Sequence, residues 1–363
     1  MLQSRPVAPS SRSWLEAAAS TFDRAIVGAV RWRNRTRPSR ADGLSHVERM
    51  EALAHIEKAY GDPGLLARPE AFFPLAPPIA PRLSPVLTPG RNARVFDVSW
   101  PSAFEPFLPE IREKYLGHRR NRTAHARLFS GPRGAGPRPV AILVHGYLGG
   151  YWLLEEGAFP VRWLVRRGLD VALFVLPFHA VRAREDRRAP PPFPGADPRF
   201  VNEGFRQAMF DLRGLVAWLK TCGAPSVGLM GMSLGGYTTA LAATVLDDLA
   251  FAVPMIPLAS IADFAREQGR LSEGRDEEEE HVALDAATRV VSPFARSSRI
   301  GKERVLVLAG DGDRVTPMRH AERIARHLDA PIVHFPGGHL LQFGRSEAFR
   351  EVGRLLRGLG VMR

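Results

Sequence analysis

The chain of 363 residues contains one cysteine, Cys222, so no internal disulfide can form and a reducing compartment is the expectation. Cys222 falls between a helix-patterned and a strand-patterned segment, which suits packing better than chemistry. Lysine is scarce as well, at only Lys58, Lys114, Lys220 and Lys302. The formal charge of +12 therefore comes almost wholly from arginine, scattered along the whole chain. That usage fits a GC-rich coding bias. Without a zinc-finger spacing or an RNP-like segment, it does not make a nucleic-acid module. No apolar run approaches the ~20 residues that span a bilayer, and the N-terminus shows no apolar block followed by a small-residue cleavage site. A cytoplasmic location is the expectation. H-E-x-x-H, Cys/His clusters and Walker-type G-K-[ST] are all missing, and GLMGMSLGG does not fit G-x-G-x-x-G. No metal and no cofactor are expected.

What is present divides at about residue 90. In the first part Trp14, Ala18, Phe22, Ile26 and Val30 recur with helical spacing. The patch Arg31-Trp32-Arg33-Asn34-Arg35-Thr36-Arg37 follows. Two readings stand: the apolar stripe packs on the rest of the protein, which is favoured, or the basic-aromatic helix makes peripheral contact with an anionic membrane. Proline-rich sequence from Phe73 to Gly90 reads as a linker or a surface-hugging loop. Residues 1–90 are thus expected to form a helical and proline-rich extension, and residues 91–363 the main domain.

From Val95 onward strands and helices alternate, with strands expected at Val95–Trp100, Thr123–Phe129, Val140–Val144, Val171–Leu176, Ser226–Met230, Phe251–Val253, Val305–Ala309 and Pro331–Phe335. Such alternation means a mostly parallel sheet covered by helices on both faces. The pattern breaks over residues 259–301. That insertion carries the acidic run Asp276–Glu280, of a kind that is usually solvated and seldom catalytic.

In open parallel sheets, reacting groups gather at the carboxyl ends of strands. Gly231-Met232-Ser233-Leu234-Gly235 ends one strand and opens a helix, the context of a G-x-S-x-G nucleophile elbow. A serine needs a base held by a third group. Downstream, one strand ends in Gly310-Asp311-Gly312-Asp313 and the next in Gly337-Gly338-His339. Asp313 is preferred as the acid because it reaches further over the sheet edge, with Asp311 as the alternative. His339 is the best base, since His334 lies inside a strand and His320 and His327 fall in a helix. The loop His145-Gly146-Tyr147-Leu148-Gly149-Gly150 can turn a backbone N–H towards a substrate oxygen. Tyr147 is its preferred donor and Leu148 the fallback, with the N–H of Leu234 completing an oxyanion hole.

With these four elements in this order, residues 92–363 resemble the α/β-hydrolase superfamily. The resemblance implies an eight-stranded, mostly parallel sheet with a lid inserted after the sixth strand. It matches Ser233 to the nucleophile, Asp313 to the acid, His339 to the base, and Tyr147 and Leu234 to the oxyanion donors. The stretch Leu176-Pro177-Phe178-His179-Ala180-Val181-Arg182, with Phe205-Arg206-Gln207, is similar to a sparsely characterised branch of α/β-hydrolase domain-containing proteins. Phe178, Tyr151 and Trp152 are candidate pocket walls, His145, Gly146, Leu148 and Met232 lie close by in sequence, and His179 stands at another strand end. His145 is expected to be structural.

The expected reaction is ester cleavage through an acyl-enzyme, with an apolar or lipid-like acyl ester as substrate. Amide cleavage or acyl transfer on the same triad, and a non-catalytic hydrolase-fold binding protein, are the alternatives. Neither substrate identity nor oligomeric state follows from the residues.

Overall fold

Val140–Val144 is buried at all five positions, and its alternate residues point to opposite faces of a sheet: Val140, Ile142 and Val144 into one apolar cluster, Ala141 and Leu143 into another. Two cores, one on each face, follow from that alternation. In the computed structural model the described residues are 9–36, 44–87, 94–132, 134, 136–186 and 190–363. They form a sheet of nine strands: β1 Arg82–Val86, β2 Arg94–Pro101, β3 Thr123–Ser130, β4 Val140–Val144, β5 Asp170–Phe174, β6 Val227–Met232, β7 Ala252–Met255, β8 Val307–Gly310 and β9 Ile332–Phe335. Their order is β1-β2-β3-β5-β4-β6-β7-β8-β9. The first three strands pair antiparallel and β3 meets β5 antiparallel; every other neighbour is parallel.

All eight expected strands are present, and the ninth comes from the proline-rich stretch read as a linker. There Pro85 sits opposite Phe96. An outer strand tolerates proline because only one of its sides must donate to a neighbour. At the centre, β5 and β6 flank β4 on opposite sides. This reversal of strand order opens a crevice at the carboxyl ends of β4 and β6.

The helix Pro9–Thr36 forms, but its described apolar stripe does not face the sheet. Trp14, Ala18 and Phe22 are exposed, whereas Ala19, Ser20, Asp23 and Val27 are buried. The favoured packing reading named the wrong face, because a buried serine and aspartate carry no hydropathy signal. The side chains of Ile26, Val30 and Arg31–Thr36, and Arg37 entirely, lie outside the described residues.

The insertion holds the helices Ile261–Glu267 and Arg275–Thr288. The acidic run is only partly a solvated face. Glu280 is fully buried, accepting from the N–H (2.9 Å) and hydroxyl (2.6 Å) of Ser272, with His46 at 3.3 Å and Arg49 at 3.6 Å. His46 and Arg49 lie on the helix His46–Tyr60, so the N-terminal extension grips the insertion. Cys222 caps the helix Pro198–Thr221 and is exposed rather than packed.

The LPFHAVR stretch meets the long helix through buried polar groups. Arg182 pairs with Asp211 at 2.8 Å, both side chains fully buried, and also donates to the carbonyls of Val175 and Asn121. Gln207 accepts from Tyr115 and from the Asn121 amide, while Glu203 accepts from Tyr60.

Candidate active site

Ser233 stands between β6 and the helix Leu234–Val245 at φ 57°, ψ −113°. That backbone region costs a non-glycine residue about 1–3 kcal/mol and persists only where surrounding contacts impose it. The contacts are visible. The Ser233 N–H donates to the Met255 carbonyl (2.9 Å), and its own carbonyl accepts from Tyr237 (3.0 Å). A Cβ at Gly231 would collide with the backbone of Gly235, and one at Gly235 with the carbonyl of Val144. Strand, turn and helix are compressed until no side chain fits at Gly231 or Gly235.

The loop after β4 lies directly against it: a Cβ on Gly146 would stand 3.4 Å from Ser233 Cβ. Residues 146–149 form a turn closed by Gly149 N–H to the Gly146 carbonyl at 3.1 Å, with Leu148 at φ 62°. Tyr147 occupies the second position of this turn. Leu234 heads its helix, so its N–H has no acceptor within that helix. Glu155, which the sequence reading passed over, is buried and accepts from the Gly150 N–H at 2.7 Å, tying down the end of the loop. Burial raises its carboxyl above the ordinary value, against that single hydrogen bond.

After β8 and β9 the acid and the imidazole meet. His339 Nδ1–H donates to Asp313 Oδ2 at 2.8 Å. The other oxygen, Asp313 Oδ1, accepts from the N–H groups of Val315 and Thr316, both at 2.8 Å. Thr316 Oγ1 stands 3.0 Å from Asp313 Oδ2 and 3.1 Å from His339 Nδ1. Asp311, the alternative acid, pairs instead with His334 at 3.0 Å. Burial pulls the His339 pKa down, but Asp313 and then Asp23 outweigh it, so the net shift is upward from 6.5. Gln342 links the His339 loop to the serine turn, donating to Met232 Sδ and to the His339 carbonyl, each at 3.1 Å. Thr316 and Gln342 were missed from sequence. The Asp-x-x-Thr spacing, a turn pattern in which a carboxylate accepts from the N–H groups following it, was the available signal for Thr316.

His145 bonds to backbone on both sides. Its Nε2 accepts from the Leu176 N–H at 3.0 Å, which leaves Nδ1–H to donate to the Gly146 carbonyl at 2.7 Å. Burial, reinforced by His179, drives its pKa to about 3, so it stays neutral while it joins the β4 and β5 loops. His179 donates from Nδ1 to the Pro177 carbonyl (2.8 Å), and its buried Nε2 has no partner among the described residues. Its ring lies 5.9 Å from that of Tyr147.

No protein-family model matches the chain. Two curated relatives, uncharacterized proteins of Mycobacterium tuberculosis strains CDC 1551 / Oshkosh and H37Rv, are each 28% identical over 318 residues, covering 86% of this chain and 75% of theirs. Among solved structures, the acetyl xylan esterase from Paenibacillus sp. R4 superposes with a TM-score of 0.56 at 15% identity, covering 83% of this chain and 98% of that one. Acetyl xylan esterase 1 from Thermoanaerobacterium sp. JW/SL YS485 gives 0.51 at 18% identity, with 83% and 91% covered. The chain has the α/β-hydrolase fold.

Within this hydrolase fold some expected pocket residues are placed differently. Phe178 is fully buried, edge-on to Tyr115 at 5.1 Å and close to Phe200, so it belongs to the core and not to a pocket wall. The apolar side of an aromatic at a strand end is invisible to spacing; the packing of Tyr115 decides it. Tyr151 and Leu148 are exposed. Trp152 lies under the Arg127 guanidinium at 4.9 Å. A cavity of about 440 Å³ opens between residues 117–120 and 183–186, and none of its lining residues belongs to this site.

Proposed function

We propose that this chain is a serine hydrolase that cleaves carboxylic esters. Ser233 attacks the ester carbonyl while His339 takes its proton, and Asp313 holds the imidazole in its tautomer and stabilises its charged form. The N–H groups of Tyr147 and Leu234 receive the developing oxyanion. His339 then protonates the departing alcohol and activates the water that releases the acid. The observation that carries this reading is the Asp313–His339 bond of 2.8 Å, with Gln342 joining the His339 carbonyl to Met232, the residue before a serine held at φ 57°.

The substrate in this proposal has an apolar or lipid-like acyl group. Leu148, Tyr151, Leu153 and Leu154 beside the β4 loop are exposed, as are Leu340 and Phe343 beside His339. Arg345 ties the second group to the first by donating to the Ala158 and Gly157 carbonyls. Exposed apolar side chains gathered around a polar centre mark a surface that takes up apolar material. Peripheral membrane contact belongs to the same proposal, with Trp14 and Phe22 exposed on the N-terminal helix. Unchanged liposome association after Arg31→Glu, Arg33→Glu, Arg35→Glu and Arg37→Glu removes it.

A fluorophosphonate probe tests the chemistry. Labelling of the wild type and not of Ser233→Ala is expected, together with a loss of at least ~10³-fold in kcat on p-nitrophenyl esters. A folded wild type that takes no label makes the chain a hydrolase-fold binding protein instead. Esters of increasing acyl length then read the pocket, and an added alcohol acceptor separates hydrolysis from acyl transfer.

A further inference from the structure

Asp23 lies about three hundred residues before His339 in the chain, on the N-terminal helix Pro9–Thr36, and is fully buried. Its Oδ2 accepts from the backbone N–H of His339 at 2.6 Å and from that of Arg314 at 3.3 Å, while Oδ1 accepts from Leu340 at 3.3 Å. Arg314 directly follows the acid Asp313. One carboxylate therefore joins the loop carrying the acid to the loop carrying the base. Three residues earlier in the helix, Ser20 accepts from Arg314 Nε at 2.7 Å.

The glycines of both loops are shaped to this helix. A Cβ on Gly338 would stand 2.5 Å from Asp23 Oδ2 and 3.1 Å from Ala19 Cβ. One on Gly312 would stand 3.0 Å from the Glu16 carbonyl and 3.3 Å from Ala19 Cβ. The motifs GDGD and GGH thus leave room for one helical turn. Little apolar surface is covered in exchange: of the described side chains on the helix, Ala19 and Val27 are the buried apolar ones. Charge-assisted bonds, roughly twice as strong as neutral ones, hold this contact where the hydrophobic effect is weak.

We infer that Asp23 is a positioning residue for His339, fixing the backbone from which the imidazole projects, so that the N-terminal helix is part of the catalytic apparatus. This rests on the serine-hydrolase reading above. The carboxylate acts on charge as well as on place, since with Asp313 it favours the protonated ring. The groups facing His339 are Asp313 and Thr316 from the acid loop and Asp23 from the helix, with the Arg314 guanidinium held off on Ser20.

The test uses the full chain with Asp23→Asn, which keeps the shape and loses the charge, and Asp23→Glu, which keeps the charge and moves it outward. On p-nitrophenyl butyrate, Asp23→Asn should lower kcat by about 10- to 100-fold with KM nearly unchanged. It should also move the acid limb of kcat/KM to lower pH. Titration of the His339 ring by NMR in a Ser233→Ala background should show the same downward displacement, independent of turnover. Asp23→Glu should lower kcat while leaving the acid limb near its wild-type position, and it carries the test if the Asn variant does not fold. Wild-type kcat and wild-type His339 titration in a folded Asn variant, or wild-type kcat in the Glu variant, overturn the inference. A wild type that fluorophosphonate does not label overturns the hydrolase reading itself, and the two failures are told apart by that control.

Discussion

At the scale of single residues, the proposed mechanism makes His339 set the acid limb of activity. As the proposed general base it must be neutral, and its pKa is displaced upward from 6.5 because the Asp313 and Asp23 carboxylates outweigh its burial. Activity should therefore fall as pH drops through a value above 6.5, read as the acid limb of kcat/KM. Asp313→Asn removes the larger carboxylate contribution and the tautomer restraint together. It should lower the limb and reduce kcat by roughly 10⁴-fold. Glu155 acts on the opposite wall. Replacing it with Ala leaves the Gly150 N–H buried without its acceptor, a cost of about 1–3 kcal/mol in unfolding free energy. The β4 loop is then free to drift, and kcat should fall with little change in KM. A denaturant midpoint together with steady-state kinetics checks both halves.

At the scale of elements, the helices Arg275–Thr288 and His46–Tyr60 are coupled by titratable groups. His46 lies between Glu279 (3.2 Å) and Glu280 (3.3 Å), and hydrogen bonds to these two carboxylates raise its pKa from 6.5. A raised histidine contributes its stabilisation while protonated and loses it as pH rises through the folded value. Amide exchange across residues 275–288 should accordingly quicken as pH is taken from below 6.5 to well above it, after correction for intrinsic exchange. His46→Gln should remove that dependence; a pH-dependent change surviving in His46→Gln assigns it elsewhere. The acidic run looked solvated because its composition records charge and not direction. Only Glu280 turns inward, onto Ser272.

At the scale of the whole molecule, the Arg182–Asp211 pair joins the loop after β5 to the long helix Pro198–Thr221. With both side chains fully buried, Arg182→Met leaves an uncompensated carboxylate in the core. Unfolding should become easier by about 3–5 kcal/mol, seen as a lower urea midpoint. Arg182→Met with Asp211→Leu should recover part of that loss, because the isolated charge is gone. If the single variant melts like wild type, the pair is not holding the loop to the helix.

Continuous apolar runs such as Val140–Val144 and the glycines around Ser233 are local signals, and from them the sequence alone determined the eight principal strands, the elbow and the choice of Asp313 and His339 as candidates. These features were legible because strand burial and turn sterics act between residues near in the chain. The ninth strand was not, since proline masks an outer strand that needs few donors. Nor was the face of the N-terminal helix that packs, because Asp23 is buried for hydrogen bonds to Arg314, His339 and Leu340 that form only once the chain has folded back on itself. Phe178 likewise became core through Tyr115, and Asp311 was diverted to His334 by the sheet register. Tertiary structure decided these because the partner of a buried polar or aromatic group is chosen by distance in space, and periodicity along the chain does not encode it.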